Sequence, residues 1–153
     1  LSVFVNFSVL GLFFHRTLAL NLRARPGDDV TLSCQAPDVN ITATEWRRTD
    51  LKDLQYVFFF QDGHIDSVKQ HPSFKNRVEL KDKEMKNGDL SVILKNVKKN
   101  DSGTYECCSK TENVESNITE AEPISTIELE VVDPDPGEFS GCRLNLNSLT
   151  GFY

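Results

Sequence analysis

Residues 101–107 read Asp-Ser-Gly-Thr-Tyr-Glu-Cys, and this stretch decides the fold because it joins a turn to the start of a strand. Cys34 lies 73 positions before Cys107, and Trp46 lies between them. Around these residues, apolar and polar side chains alternate over short runs that Gly, Asn and Asp interrupt. Such alternation is typical of antiparallel β-strands, so the sequence predicts a β-sandwich or a β-barrel.

Seven strands are predicted from this alternation. They cover residues 30–34, 42–48, 54–60, 76–80, 90–94, 103–109 and 124–132. In the last of them Ile127, Leu129 and Val131 share one face, which indicates that this face is buried. Helical periodicity of useful length is absent, which favours an all-β chain.

The combination of Cys34, Trp46 and the D-x-G-x-Y-x-C motif resembles an immunoglobulin domain. The resemblance implies two facing sheets that a Cys34–Cys107 disulfide bridges, with Trp46 packed against the bridge. It also implies that Tyr105 points inward and returns its hydroxyl to the backbone of the preceding turn.

Two further features define the type of sandwich. Arg77, at the start of a strand, is placed to meet Asp101 as a charge-assisted ion pair. The long stretch between the two cysteines leaves room for the two extra strands of a variable-type domain. The predicted fold is therefore all-β, a V-type Greek-key sandwich of two antiparallel sheets that covers residues 18–132.

Three segments narrow the resemblance: Tyr-Val-Phe-Phe-Phe-Gln-Asp-Gly-His at 56–64, Gln-His-Pro-Ser-Phe-Lys-Asn-Arg-Val at 70–78 and Gly-Asp-Leu-Ser-Val-Ile-Leu at 88–94. They are similar to the butyrophilin family, with its myelin oligodendrocyte glycoprotein and T-cell costimulatory ligand branches, particularly fish members. The resemblance implies a ligand that binds a protein receptor on T cells or other leukocytes and modulates T-cell activation and cytokine production.

Two other binding roles use the same fold. A homophilic or heterophilic adhesion domain without an immune-regulatory role stays open, since fold alone does not determine function. An antigen-receptor variable domain is disfavoured, because such domains carry a G-x-G bulge in the last strand and residues 121–132 contain no Gly.

Composition excludes several other functions. The chain has 153 residues with 17 Lys+Arg against 23 Asp+Glu, a net charge of −6, which disfavours nucleic acid as a partner. No G-x-S-x-G elbow, phosphate-binding Gly loop or metal-spaced His/Cys cluster occurs, and His15, His64 and His71 are isolated in sequence. We therefore predict no enzyme activity, cofactor, metal or small-molecule substrate.

The two ends differ from the rest of the chain. Ten of the first fourteen residues are large and apolar, so residues 1–17 are predicted to be a residual signal segment. Residues 133–153 are predicted to be a linker or stalk without a fold of its own. No apolar run of eighteen residues occurs. The expected location is extracellular, on the external side of the plasma membrane if the full-length chain has a span, and otherwise secreted.

The predicted partner face follows from the orientation of Trp46 and Cys107. Because those two point inward, their strand neighbours point out, and the family resemblance adds alternate residues of the next strand. The face comprises Glu45, Arg47, Val57, Phe59, Gln61 and Glu106, with Phe58 and Phe60 turned to the core. The alternative that the following segment covers Phe59 stays open.

Sequons and surplus cysteines complete the candidate sites. Asn40 and Asn117 are expected to carry N-glycans at one tip of the sandwich, and Asn100 at the opposite end, whereas the sequon at Asn6 falls in the signal segment. Cys108 is predicted to be an exposed or partly shielded thiol. Cys142 is predicted to link two chains through a disulfide, and an intramolecular Cys108–Cys142 bond stays conceivable.

Overall fold

The computed structural model describes residues 19–37, 41–51, 55–111 and 123–134, and every structural statement below concerns those residues. They contain nine β-strands and three short 3-10 helical turns, and none of their helices is long and apolar enough to cross a membrane. The strands are Leu20–Ala24 (β1), Val30–Leu32 (β2), Ile41–Arg48 (β3), Phe58–Gln61 (β4), His64–Ile65 (β5), Val78–Leu80 (β6), Val92–Leu94 (β7), Gly103–Thr111 (β8) and Ser125–Val131 (β9). The 3-10 turns are Pro72–Phe74, Lys86–Gly88 and Lys99–Asp101.

The strands form two sheets. Six of them pair in the order β1-β9-β8-β3-β4-β5, and the other three pair in the order β2-β7-β6. β1 runs parallel to β9, whereas the other strand pairs are antiparallel. The prediction of an all-β sandwich of two sheets is confirmed, and the parallel β1–β9 pair is an addition to it.

A disulfide bridges the two sheets. It joins Cys34, which directly extends the inward-facing alternation of β2, to Cys107 of β8, with their Cα atoms 6.4 Å apart. Trp46 of β3 pairs in register with Cys107, is fully buried, and donates its indole N–H to the Leu90 carbonyl at 3.0 Å. The predicted pairing of Cys34 with Cys107 and the predicted burial of Trp46 are confirmed.

A cluster of charged and aromatic groups lies at one end of this core. The Tyr105 hydroxyl donates to the Asp101 carbonyl at 2.5 Å, and the Asp101 carboxylate pairs with the Arg77 guanidinium. Phe74 is fully buried, with the guanidinium carbons of Arg48 and Arg77 lying 5.5 and 6.0 Å from the centre of its ring. These contacts tie the turn before β8 to β3 and to the start of β6, as the sequence predicted for Arg77, Asp101 and Tyr105.

Some strands differ from the predicted ones because the backbone conformation, or the shortness of the segment, limits pairing between strands. Asn76 has a left-handed φ of 62° and cannot start an extended strand, so β6 begins at Val78. β1 was not predicted because most of its residues are exposed, and β5 because it has two residues. Both lie at the edges of the six-stranded sheet.

The Tyr105 hydroxyl bond predicts a measurable loss of stability. Replacing Tyr105 by Phe deprives the Asp101 carbonyl of this buried donor, so the free energy of unfolding should fall by about 1–3 kcal/mol in urea denaturation at neutral pH. Tyr56→Phe is the control, because the Tyr56 hydroxyl has no hydrogen bond within the described residues. For this variant we expect a change within about 0.5 kcal/mol. Equal effects of the two substitutions would contradict the assignment.

The same tyrosine predicts a pH dependence. Burial raises the pKa of Tyr105 to about 12, whereas the pKa of a tyrosine in an unfolded chain is about 10. The unfolded chain therefore releases this proton first as the pH rises. The contribution of this group to stability is complete below about pH 10 and is lost towards about pH 12. Tyr105→Phe should lose less stability than the parent over this interval, and an identical loss would contradict the burial argument.

Candidate functional site

Alternate residues of the central strands of the six-stranded sheet point away from the disulfide core. Trp46 and Cys107 face the core, so their neighbours on β3 and β8 face the opposite way, and the strand register extends this surface to β4 and β9. We call this surface the outer face. It comprises Ala43, Glu45, Arg47, Phe59, Gln61, Thr104, Glu106, Cys108, Lys110, Thr126 and Glu128.

Two rows of side chains cross the middle of the outer face. In the first, Phe59 of β4 lies opposite Glu45 of β3, and Glu45 lies opposite Cys108 of β8. In the second, Arg47 lies opposite Glu106. The register therefore brings together four of the residues that the sequence predicted for a partner face.

Arg47 covers part of the first row. Its Nη2 lies 3.2 Å from the Cys108 sulfur, and its Nε lies 3.8 Å from a carboxylate oxygen of Glu45. The Arg47 side chain stays 32% exposed while that of Glu45 is only 12% exposed. Arg47 is therefore the more accessible of these two side chains.

The prediction that Cys108 is an exposed or partly shielded thiol is wrong. Strand alternation does turn Cys108 to the outer face, but the residue is buried, and this burial raises the pKa of its thiol. Alternation defines which side of a sheet a residue occupies, whereas exposure depends on the side chains lying above it. Here the Arg47 guanidinium contacts the sulfur.

The predictions that Val57 and Phe59 belong to an exposed partner face are also wrong. Val57 precedes β4 and is fully buried in the same core cluster as Phe58 and Phe60, so the alternation does not extend back to it. Phe59 does lie on the outer face, yet it is 3% exposed. The Tyr56 ring lies 5.0 Å from the Phe59 ring, and the Lys69 ammonium lies 4.1 Å above it.

Glu45 was also predicted for the exposed partner face, but it is buried between its neighbours on β4 and β8, beside Arg47. The other three candidates stay accessible. Gln61 is exposed at the end of β4, and Glu106 is half-buried on β8. Together with Arg47 they leave a polar, charged surface over the middle of the sheet.

Several predicted features lie wholly or partly outside the described residues. Asn40, Asn117 and Cys142 belong to ranges that the structure does not describe, and so do the predicted signal segment up to residue 17 and most of the predicted tail. Asn100 is described and exposed within the Lys99–Asp101 turn, and its backbone carbonyl accepts a hydrogen bond from Arg48 at 2.9 Å.

A turn beside Phe59 was missed by the sequence reasoning. Asp66 accepts hydrogen bonds through one carboxylate oxygen from the backbone N–H groups of Val68, at 3.0 Å, and Lys69, at 3.3 Å. An Asp that caps the backbone two residues on is a recognisable turn signal, so the turn was readable from the sequence. Its contact with Phe59 was not, because it depends on the tertiary position of Lys69.

The described residues hold no group of three or more His, Cys, Asp or Glu that could bind a metal ion. The two described histidines lie in different places, one on β5 and the other beside the Pro72–Phe74 turn. What the outer face offers is a set of accessible Arg, Glu and Gln side chains.

Two facing sheets, the bridging disulfide with Trp46 beside it, and the Tyr105–Asp101 bond define an immunoglobulin-type domain. The family model "Immunoglobulin V-set domain" matches residues 18–123, and the chain belongs to the V-set family. This bears out the V-type fold and the family resemblance that the sequence predicted.

Curated relatives and solved structures agree with this assignment. The chain is 29% identical over 120 residues to mouse V-set domain containing T-cell activation inhibitor 1, covering 76% of this chain and 42% of that protein. It is 27% identical over 116 residues to human myelin-oligodendrocyte glycoprotein, covering 74% and 43%. The chain thus spans less than half the length of these relatives.

Two solved structures share the fold. The crystal structure of the human B7-H4 IgV-like domain aligns with a TM-score of 0.57 at 24% identity, covering 75% of this chain and 93% of that one. Bovine butyrophilin aligns with a TM-score of 0.59 at 22% identity, covering 74% and 50%. At these identities the likeness establishes the fold alone.

The burial of Phe59 predicts that it acts on stability. Phe59→Ala should lower the free energy of unfolding by about 3 kcal/mol in urea denaturation, because it empties the space beneath Lys69 and beside Tyr56. Gln61→Ala on the same strand and face is the control and should change it by less than about 0.5 kcal/mol. A similarly small change for Phe59→Ala would mean that its ring is exposed after all.

Proposed function

We propose that this chain is an extracellular V-set ligand that binds a protein receptor on leukocytes and modulates T-cell activation and cytokine production. The observation that carries the proposal is the similarity over 120 residues to a mouse protein whose name describes a T-cell activation inhibitor. The similarity to mouse programmed cell death 1 ligand 1, 29% identical over 87 residues, supports it. The sign of the effect, stimulation or inhibition, is left to the experiment.

An extracellular location is supported by the chemistry of the core. The Cys34–Cys107 bridge connects the two sheets, and such structural disulfides form and persist in oxidising compartments. We propose that the domain works outside the cell, on the external side of the plasma membrane or as a secreted protein.

The outer face is the proposed contact surface. Arg47, Gln61 and Glu106 are its accessible members from the predicted partner face, and they come from three neighbouring strands. Rigid strands hold these side chains at fixed spacings, which is what selective protein recognition requires. Charged side chains at such a surface act mainly on specificity and on the rate of association.

Two modifications accompany the proposal. We propose N-glycans at Asn40, Asn117 and Asn100, of which Asn100 is exposed in the described structure. We also propose that Cys142 joins two chains, so non-reducing electrophoresis of the parent should give a dimer that is absent from Cys142→Ser.

A charge reversal tests the function and the face together. The full chain, biotinylated and tetramerised on streptavidin, is applied to resting and activated leukocytes, and immobilised chain is added to T cells stimulated through their receptor. We expect the parent to bind and to change cytokine output. Glu106→Lys should bind at least about tenfold more weakly, because it places a second cation opposite Arg47.

Glu79→Lys is the matched control. Glu79 is also a half-buried glutamate on a strand, but it belongs to β6 of the other sheet, where it pairs with Lys95 at 2.9 Å. We expect this variant to bind as the parent does. Equal binding by Glu106→Lys and the parent would contradict the face assignment. Binding of the parent only to itself, without any effect on cytokines, would favour an adhesion domain instead.

A further inference from the structure

The loop between β6 and β7 contains the pair Asn87-Gly88, which is the only Asn-Gly pair in the chain. A main-chain nitrogen can attack the side-chain carbonyl carbon of the asparagine before it, and a glycine favours this attack because it has no side chain to obstruct it. Asn87 is exposed, and its side-chain amide makes no hydrogen bond within the described residues. The side chain is therefore free to turn towards the following nitrogen.

The backbone around this pair is strained. Met85 and Asn87 have φ angles of 47° and 54°, in the left-handed region that residues other than glycine rarely adopt. Asparagine tolerates this region better than most residues, but for methionine it is costly. The strain favours opening of the Lys86–Gly88 turn, so hydrogen bonds have to hold it closed.

The hydrogen bonds that close the turn also control the nitrogen that would react. The Asp82 carboxylate accepts from the backbone N–H groups of Glu84 and Lys86, each at 3.0 Å. The Gly88 N–H donates to the Met85 carbonyl at 3.1 Å, so in the closed turn this nitrogen is engaged and does not attack. Attack on the preceding side chain requires the turn to open, and exposed loops open locally without unfolding the whole domain.

The closed turn holds the segment that follows β2. The Gly88 carbonyl accepts from the Ala36 N–H at 2.9 Å, and the Asn87 carbonyl accepts from the Gln35 side chain at 2.5 Å. Ala36 is buried, so leaving its N–H without an acceptor is unfavourable. Cys34, two positions earlier, carries the disulfide. A change in the main chain at Asn87 therefore acts beside the bridge between the sheets.

We propose that Asn87 is a site of spontaneous modification, at which opening of the turn converts the asparagine to isoaspartate. The Gly88 nitrogen, after losing its proton to water, bonds to the side-chain carbonyl carbon of Asn87, and the carbon–nitrogen bond of the amide breaks with release of ammonia. Water then adds to one carbonyl of the succinimide ring and breaks its bond to the Gly88 nitrogen. Opening at the main-chain carbonyl gives isoaspartate, and opening at the other carbonyl gives aspartate.

Isoaspartate changes the path of the main chain. It adds one carbon between Asn87 and Gly88, which moves the Gly88 carbonyl away from the Ala36 N–H. The modified domain is consequently less stable, and its stability falls with time instead of in response to a ligand. This inference goes beyond the proposed function and does not depend on it, because it involves no residue of the outer face.

The chain offers a matched control in Asn96. This residue is also exposed and left-handed, with a φ of 49°, but it is followed by Val97, whose branched side chain obstructs attack. The folded parent is incubated in mildly alkaline buffer, digested, and mapped by mass spectrometry with chromatographic separation of the isoaspartate peptide. We expect modification at Asn87 and none at Asn96. Equal modification of the two, or none at Asn87 under conditions that modify it in the urea-unfolded chain, would overturn the proposal.

Two substitutions test whether opening of the turn controls the reaction. Asp82→Ala removes the carboxylate that caps two backbone N–H groups, so it should raise the rate at Asn87 by about fivefold, as expected for the loss of one cap. Glu84→Ala is the control, because it removes the same charge from the same loop, where the Glu84 carboxylate is exposed and pairs with Lys86. It should react as the parent does. Equal rates in Asp82→Ala and the parent would overturn the role of the turn.

Asn87→Gly tests the consequence for stability. Glycine adopts the left-handed backbone of this position and has no amide to react. After incubation the parent should unfold at a temperature a few degrees lower than before, whereas Asn87→Gly should unfold at the same temperature at both times. An equal loss in both proteins, or modification of Asn87 without any change in the unfolding temperature of the parent, would overturn the link between this turn and the end of β2.

Discussion

The Cys34–Cys107 bridge, with Trp46 beside it, is the constraint on which the other features of this domain depend. It joins strands that are far apart in sequence and belong to different sheets. Trp46 adds a second link between the sheets, since its indole N–H donates to the Leu90 carbonyl beside β7. Because Trp46 and Cys107 are opposite one another in the β3–β8 pair, the bridge also fixes which residues of these strands turn outward.

The outer face follows from this register. Once Trp46 and Cys107 are committed to the core, Glu45, Arg47, Glu106 and Cys108 have to share the other side of the same two strands. Their exposure is then decided by contacts among themselves. Arg47 covers the Cys108 sulfur and lies beside Glu45. The surface left for a partner is consequently polar over its middle.

The interior could be predicted from the sequence because its determinants are local or are encoded by a motif. The period-two alternation of β2 and β9 indicated their buried faces, and D-x-G-x-Y-x-C indicated the Tyr105–Asp101 bond. The exposure of outer-face residues could not be predicted in this way. Phe59 alternates as a surface residue should, but Lys69, ten positions later, returns to cover its ring. Val57 illustrates a second limit, since it lies before the first residue of β4, where alternation no longer applies.

Amide hydrogen exchange on the receptor-bound chain is the most direct test of the central claim. That claim is that the outer face, whose residues the disulfide fixes, is the binding surface. The parent chain is labelled alone and in the presence of activated-leukocyte membranes that bind it. The account predicts added protection in β4 with the 66–69 turn and in β8, and unchanged exchange in β6 and β7, which belong to the other sheet. Added protection confined to β6 and β7, with β4 and β8 unchanged, would contradict it.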